Sequence, residues 1–248
     1  MSVELFGQSD VGCVRKVNED NFLCLDLSVG SNVVPPPSFL LAVADGLGGH
    51  AGGAVASAMA VKILYEEFQA VDGNDPRAFL NGVFLKANRA IFDRAARESV
   101  HAGMGTTLAA AFIWGEKAVI ANVGDSRVCL FRGGELSQVT VDHSWAAEQR
   151  RRGLLSDREI RRSSFRAMIT RSLGYAENVD VDTFEFGIAD SDVLLLYTDG
   201  LYGILPEKKI MKILKTNRDP KAAGEALIAA AKDGGGDDNI TVIVVAFR

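Results

Sequence analysis

The chain has 248 residues, with 27 Lys and Arg against 32 Asp and Glu, for a formal net charge of −5. That balance argues against a general nucleic-acid binder, which carries a basic excess across its whole domain. With 48% hydrophobic and 24% charged residues, the composition is that of a folded globular protein of one large domain or two small ones, not of a disordered chain.

The amino terminus, Met1-Ser2-Val3-Glu4-Leu5, has neither the basic start nor the apolar stretch of a secretory signal, so the expected location is cytoplasmic. Asn18-Glu19-Asp20 leads into the apolar Phe22-Leu23. The segment 30–37 ends in three prolines and predicts a loop between strands, because proline cannot donate to a ladder. Residues 39–44 form a continuous apolar run of strand length. A helix is predicted over 54–68, where Val55, Met59 and Ile63, with Ala56, Ala60, Leu64 and Phe68, recur every four residues as one stripe. Asp75-Pro76 reads as an N-cap and first helical position, ahead of a face made by Leu80, Val83, Phe84, Ala87 and Ile91. Strands are predicted over 106–114, 118–123, 127–131 and 135–140, joined by short glycine turns as an antiparallel meander. Two more fall at 193–198 and 240–247, and Asp219-Pro220 opens a helix carrying Ala226, Leu227 and Ala230. No apolar run approaches the roughly 18 residues of a membrane helix. Two helices, a series of strands, then further helices and strands suggest α+β. Cys13, Cys24 and Cys129, odd in number and without CxxC spacing, are expected to be buried free thiols.

Carboxylates recur at the ends of the apolar runs, usually beside glycine. Glu19 and Asp20 precede one, Asp45-Gly46 closes 40–44, Asp125 closes 119–123 through Gly124, Asp199-Gly200 closes 193–198, and Asp238 opens 240–247 after three glycines. Hard divalent cations take oxygen ligands of this kind. A single Asp-Gly is equally a turn signal, and spacing alone leaves both readings open, since distant segments need not converge. A two-metal site polarises a phosphoryl oxygen and lowers the pKa of a bridging water. No GxSxG, P-loop or HExxH motif occurs, and Gly46-Leu47-Gly48-Gly49 lacks the Walker lysine and threonine. Arg15 has the planar donor fork that suits a phosphate, and reads equally as a solvated arginine.

The ordered series resembles the metal-dependent protein serine/threonine phosphatases of the type 2C family, in their compact bacterial form. It runs Ser9-Asp10-Val11-Gly12, Arg15-Lys16-Val17-Asn18-Glu19-Asp20, Val43-Ala44-Asp45-Gly46-Leu47-Gly48-Gly49-His50, Gly105-Thr106-Thr107 and Asn122-Val123-Gly124-Asp125-Ser126-Arg127. Asp142-His143-Ser144, Thr170-Arg171-Ser172-Leu173-Gly174, Thr198-Asp199-Gly200 and Asp238-Asn239-Ile240-Thr241 complete it. The resemblance implies a central sandwich of two antiparallel β-sheets with helices on both outer faces, as one catalytic domain over 1–248 with a flap at about 144–170. It implies that Glu19, Asp45, Asp199 and Asp238, with the Gly46 carbonyl, bind two Mn²⁺ or Mg²⁺ ions. By the same matching, Asp20 acts through water, Asp125 and Asp199 hold a third, weaker ion, Arg15 binds the substrate phosphate and His50 protonates the leaving group. The implied reaction is hydrolysis of phosphoserine and phosphothreonine in proteins by a metal-bridging hydroxide, by a monomer that reverses a Ser/Thr kinase. Many bacterial relatives carry glutamate where this chain has Ala54, a position that is not a metal ligand.

His143 and His101 carry less: Asp142-His143-Ser144 suggests a triad fragment, but sequence neighbours need not face one another, and it reads as structural. Arg150, Arg151, Arg152, Arg158, Arg161, Arg162, Arg166 and Arg171 stand against only Asp157 and Glu159. This stretch is either a solvated face or an attractor for acidic, multiply phosphorylated substrates. Nucleic acid is not expected there, since Phe165 stands alone. A phosphoprotein-binding pseudophosphatase or regulatory module is the alternative to an enzyme, and action on small phosphorylated molecules a third possibility.

Overall fold

The computed structural model describes residues 2–26, 38–48, 51–68, 75–165 and 167–248. The predicted loop at 30–37 and His50 lie outside the described residues. In chain order the strands are β1 (Val3–Asp10), β2 (Asn21–Asp26), β3 (Ser38–Ala44), β4 (Gly46–Leu47), β5 (Gly105–Thr106), β6 (Leu108–Trp114), β7 (Lys117–Val123), β8 (Arg127–Arg132), β9 (Glu135–Gln138), β10 (Asp182–Gly187), β11 (Val193–Tyr197) and β12 (Ile240–Phe247). The helices are α1 (Ala51–Phe68), α2 (Pro76–Arg97), α3 (Trp145–Arg151), α4 (Asp157–Arg162), α5 (Asp199–Tyr202), α6 (Glu207–Thr216) and α7 (Pro220–Asp233).

Two five-stranded antiparallel sheets form the centre, ordered β1-β12-β11-β8-β9 and β10-β7-β6-β3-β2. Their facing sides bury Leu41, Val43, Ile113, Ile120, Leu196 and Ile243 in one apolar layer. The outer face of the second sheet packs Leu40, Ala42 and Phe112 under α1 and α2. The outer face of the first packs Leu195, Val242 and Val244 under α6 and α7. With both faces covered, alternate residues of a central strand point into different apolar layers, which is why 39–44 and 240–247 read as unbroken apolar runs. The α/β/β/α sandwich implied by the resemblance is thus the fold. No helix among the described residues is long and apolar enough to cross a membrane.

Helix starts follow local chemistry. The Asp75 carboxylate accepts from the Arg77 and Ala78 amides, and the Asp219 carboxylate from that of Ala222, each just ahead of a proline in the first turn. Under α1 and α2, Phe68, Phe79 and Phe112 pack edge to face with ring centroids 5.7–6.1 Å apart.

Several expectations need correction. The four predicted meander strands are two hairpins in different sheets: β6 pairs with β7, β8 with β9, and β7 does not pair with β8. At Gly124 (φ 109°) the chain turns from one sheet to the other, a conformation that glycine adopts without strain. The buried stripe of α7 is Ala223, Leu227, Ile228 and Ala231, with Ala226 and Ala230 only partly covered. Of the cysteines only Cys129 is buried; Cys24 is half-buried and Cys13 exposed. The edge strands β1 and β10 and helix α6 had no strong apolar run to announce them.

Between the sheets' ends and β10, residues 144–170 carry α3 and α4. Ser144 caps the first and a Ser156/Glu159 capping box the second. A β-bridge between Ser144 and Ile169 closes the segment at its base, and Trp145 packs on Phe165 at 5.8 Å. Phe112→Ala is expected to lower unfolding stability by about 3–5 kcal/mol, while Leu85→Ala, on an exposed side chain, shifts it by about 0.5 kcal/mol at most; equal denaturant midpoints for the two variants would rule out a central role for the aromatic cluster.

Candidate metal centre

Neighbouring antiparallel strands run in opposite directions, so the starts of some and the ends of others share one edge of the sandwich. Glu19 and Asp20 precede β2 and Asp238 precedes β12, whereas Asp45 follows β3, Asp125 follows β7 and Asp199 follows β11. The register makes this edge common to both sheets: Asn21 pairs with Ala44, Leu108 with Val123, Asp10 with Ile240, and Tyr197 with Val242. Six carboxylates from five separate segments are thereby gathered.

Their mutual repulsion is visible in their proton affinities. Burial pushes Asp20 up to about 6, with added repulsion from Asp238 and Glu19. Burial likewise pushes Asp199 up to about 6, reinforced by Asp238 and Asp20, and Asp125 up to about 7, reinforced by Asp199. Asp45 is held well above the usual carboxylate range by burial and by the charges of Asp20, Asp199, Asp125 and Asp238. Such a cluster is relieved by bound cations as well as by protons.

The residues present fit divalent ions. Asp125 Oδ1 and Asp199 Oδ1 are buried with no hydrogen-bond partner among the described residues, and a buried acceptor left unpaired costs about 1–3 kcal/mol. The donor set is all oxygen, the preference of Mg²⁺ and Mn²⁺. Among the described residues no three His, Cys, Asp or Glu side chains close around a single point. An ion of the magnesium type needs only one or two carboxylates beside its own waters.

Hydroxyls and one amide hold the cluster in place. Asp20 Oδ2 accepts from Thr198 Oγ1 at 2.8 Å and Thr241 Oγ1 at 2.6 Å. Since the Thr241 proton is committed, Ser9 donates to Thr241 at 2.8 Å, and Asn18 Nδ2 donates to Ser9 at 2.7 Å. Asn239 Oδ1 accepts from the Glu19 amide at 2.8 Å, while its Nδ2 donates to the carbonyls of Val11 and Val17, each at 3.0 Å. The loop that carries Arg15 and Glu19 is therefore fastened to the start of β12. Asp45 is fixed through its main chain: its amide donates to Thr107 Oγ1 at 2.9 Å, and its carbonyl accepts from Thr106 Oγ1 at 2.8 Å. Tyr202 donates to Asp125 Oδ2 at 3.0 Å, with the Arg127 guanidinium 3.5 Å above its ring and paired with Asp142. The roles of these holding groups were not read from the sequence; Ser9, Asn18, Thr198 and Asn239 each adjoin an acidic residue, while Thr106, Thr107, Thr241 and Tyr202 do not.

Glycine beside carboxylate serves the packing of main chain on main chain. A side chain at Gly46 would collide with the carbonyls of Gly53 and Glu19, and one at Gly200 with the carbonyl of Asn239.

Arg15, about half exposed, donates to Asp238 Oδ2 at 2.7 Å; that bond, with the nearby charges of Glu19 and Asp199, keeps it firmly protonated. His143 is buried away from the cluster. Its Nδ1 accepts from the Gly124 amide at 3.0 Å, so Nε2 carries the proton and donates to Asp182 at 3.1 Å. Burial lowers its pKa, and no serine hydroxyl bonds this ring among the described residues, as expected of a structural histidine. Arg171 Nη1 donates to Asp182 Oδ1 at 2.7 Å and to the Asp180 carbonyl. It shares this network with His143 and Asp182 while its side chain stays about one-third exposed. His101 packs beside Arg94 and Glu98.

Residues 6–240 match the family model described as "Protein phosphatase 2C". The chain is 37% identical over 242 residues to the serine/threonine phosphatase stp of Listeria monocytogenes, covering 96% of this chain and 93% of that protein. The solved serine/threonine phosphatase of S. agalactiae superposes with a TM-score of 0.92 at 30% identity over the whole of both chains. The catalytic domain of the serine/threonine protein phosphatase PstP, solved with two manganese ions, superposes with a TM-score of 0.85 at 32% identity, covering 98% of this chain and 97% of that one. Matched along nearly its full length in sequence and in fold, with its carboxylates gathered at one edge of the sandwich, this chain belongs to the protein phosphatase 2C family.

Proposed function

We propose that the protein removes phosphate from phosphoserine and phosphothreonine in proteins, using two Mn²⁺ or Mg²⁺ ions. The observation that carries this reading is the convergence of six carboxylates, two with unsatisfied buried oxygens, beside an arginine already oriented on one of them. Glu19, Asp45, Asp199 and Asp238, with the Gly46 carbonyl, would hold the two ions; Asp125 with Asp199 would hold a third, weaker one. When bound, such ions polarise phosphoryl oxygens and lower the pKa of water toward neutrality.

The chain's own residues supply the rest. Arg15 binds the phosphate with the donors that Asp238 leaves available, and Asp238 keeps its guanidinium turned toward the cluster. Asp20, anchored by two hydroxyls through one oxygen, directs the other toward water. The departing serine or threonine oxygen needs a proton, and His50 is assigned that transfer because an imidazole of ordinary pKa near 6.5 is suited to it. Asp125, tied to Tyr202, completes the acidic wall.

The reading extends to one catalytic domain over 1–248, in which 144–170 is a flap beside the centre. Arg151, Arg152, Arg158 and Arg162 are exposed there and would draw in acidic or multiply phosphorylated protein substrates. The partners are then phosphorylated Ser/Thr proteins and the Ser/Thr kinase whose action is reversed. The enzyme itself is read as a cytoplasmic monomer.

Mn²⁺ at a hundredfold excess over its dissociation constant should stabilise the protein by about 2.7 kcal/mol, seen as a raised thermal midpoint. Asp45→Asn and Asp238→Asn should abolish that rise, and with it at least about 99% of turnover of phosphothreonine peptide; an unchanged midpoint shift, or hydrolysis that survives chelator, would defeat the metal assignment. Arg15→Ala should raise KM for an aryl phosphate about tenfold, the loss of one charge-assisted contact, with partial rescue in Arg15→Lys; a KM equal to that of the parent protein would remove Arg15 from phosphate binding. Replacing Arg151 and Arg162 together by Gln should raise KM for a multiply phosphorylated protein at low ionic strength and change little at high salt, whereas an effect independent of salt would point to damaged packing.

A further inference from the structure

At the opposite end of the sandwich from the carboxylates lies a groove of about 390 Å³. Its floor is apolar, made by Phe131, Leu214 and Phe247, and its rim carries Lys215, Arg218 and Ser191. Lys215 and Arg218 are exposed, and neither side chain has a carboxylate partner among the described residues. The other charges at the groove are already matched. Asp192 spends both oxygens on Arg132, at 2.8 and 2.6 Å, and on the Ala189 amide at 2.8 Å, and Arg248 is paired with Glu4 at 3.0 Å. On a chain of net charge −5, the groove is a local positive field over an apolar floor.

Ser191 adds a second observation. It is the one described non-glycine residue at positive φ, 71°, a conformation that is uncommon outside glycine and costs of order 1 kcal/mol or more. The strain is held by a bond from its amide to the Phe247 carbonyl at 2.8 Å. No hydrogen bond from its own hydroxyl occurs among the described residues, so at the groove's edge it adds a donor to the two cations. Strained residues persist where surrounding structure over-determines them, and they cluster at ligand-binding places.

We propose that this groove docks an extended acidic segment carrying one apolar side chain, belonging to the phosphoprotein substrate and remote from the phosphorylated residue; the proposal rests on the phosphatase reading above. The cations select acidic side chains, the floor takes the apolar one, and Ser191 donates to the segment's backbone or carboxylates. Length decides which substrates use it. β12 runs from the carboxylate edge to the groove, and the nine residue steps from Asp238 to Phe247 span roughly 30 Å at ~3.4 Å each. A chain reaching at most ~3.6 Å per residue needs at least about eight residues to cover that distance. Short phosphopeptides and small esters cannot engage both places.

The test compares a phosphothreonine peptide bearing a Glu-Glu-Leu-Glu anchor beyond a twelve-residue Gly/Ser linker with the same peptide lacking the anchor and with one whose linker has four residues. The long anchored peptide is expected to show a KM about tenfold lower at equal kcat, with the advantage fading as salt rises. In the doubly substituted Lys215→Glu, Arg218→Glu protein that advantage should vanish, while turnover of an aryl phosphate is unchanged. An equal KM for the three peptides, or an equal advantage from the four-residue linker, overturns the proposal. Should the parent protein hydrolyse none of them, the phosphatase reading fails on its own. Fluorescence anisotropy of the unphosphorylated anchor then decides the groove: weaker binding by the double variant supports it, and equal binding by the two proteins overturns it.

Discussion

Repulsion among Glu19, Asp20, Asp45, Asp125, Asp199 and Asp238 is the constraint around which this protein is built. Like charges at close range drive a chain apart, and here they arise in five different segments, each free in principle to move away. What holds them is the layer between the sheets. Leu41, Val43, Ile113, Ile120, Leu196 and Ile243 are buried there, and their burial, worth about 25 cal/mol for each Å² of apolar surface, fixes the strands whose ends carry the acids. The charged edge is assembled at the expense of that apolar layer.

Local devices then convert rough convergence into fixed positions. Asn239 ties three points of one loop, at Val11, Val17 and Glu19, to the start of β12. Thr198 and Thr241 give one oxygen of Asp20 two hydrogen bonds and leave the other uncommitted to them. Gly46 and Gly200 admit main chain where any side chain would force the acidic segments apart. None of these groups needs to touch a substrate, yet displacing any one of them moves a carboxylate. In such a site, an error of about 1 Å is costly.

Much of this was legible in the sequence because it is written in short-range chemistry. Asp75-Pro76 and Asp219-Pro220 cap their helices as read, the apolar run at 39–44 is a central strand, and the acidic segments stand at strand ends. Pairing was harder. Strands 118–123 and 127–131 are separated by three residues, which local rules read as a hairpin, but Gly124 sends the chain across to the other sheet. The choice is made by which apolar layer β8 can fill, a long-range matter. Edge strands β1 and β10, with one face less covered, carry too little apolar pattern to stand out. The holding roles of Asn239 and Tyr202 were invisible for another reason: such a role is defined by what the residue bonds, and the partners lie 77 to 228 positions away. In the arginine-rich stretch, charge counting grouped Arg171 with its neighbours and could not show that its guanidinium pairs with Asp182 at the start of β10.

The crossing at Gly124 also divides the acids between the two sheets. Asp199 and Asp238 belong to strands of one sheet, while Glu19, Asp20, Asp45 and Asp125 border strands of the other. The width of the centre is thus set by how the two sheets lie over one another, and a small sliding of one against the other changes the gap between the two groups of oxygens. An ion held by residues of both groups would act as a clasp across the seam, coupling the alignment of the whole sandwich to what binds at one end. Any side chain in the layer between the sheets, however far from the acids, then has leverage on that gap.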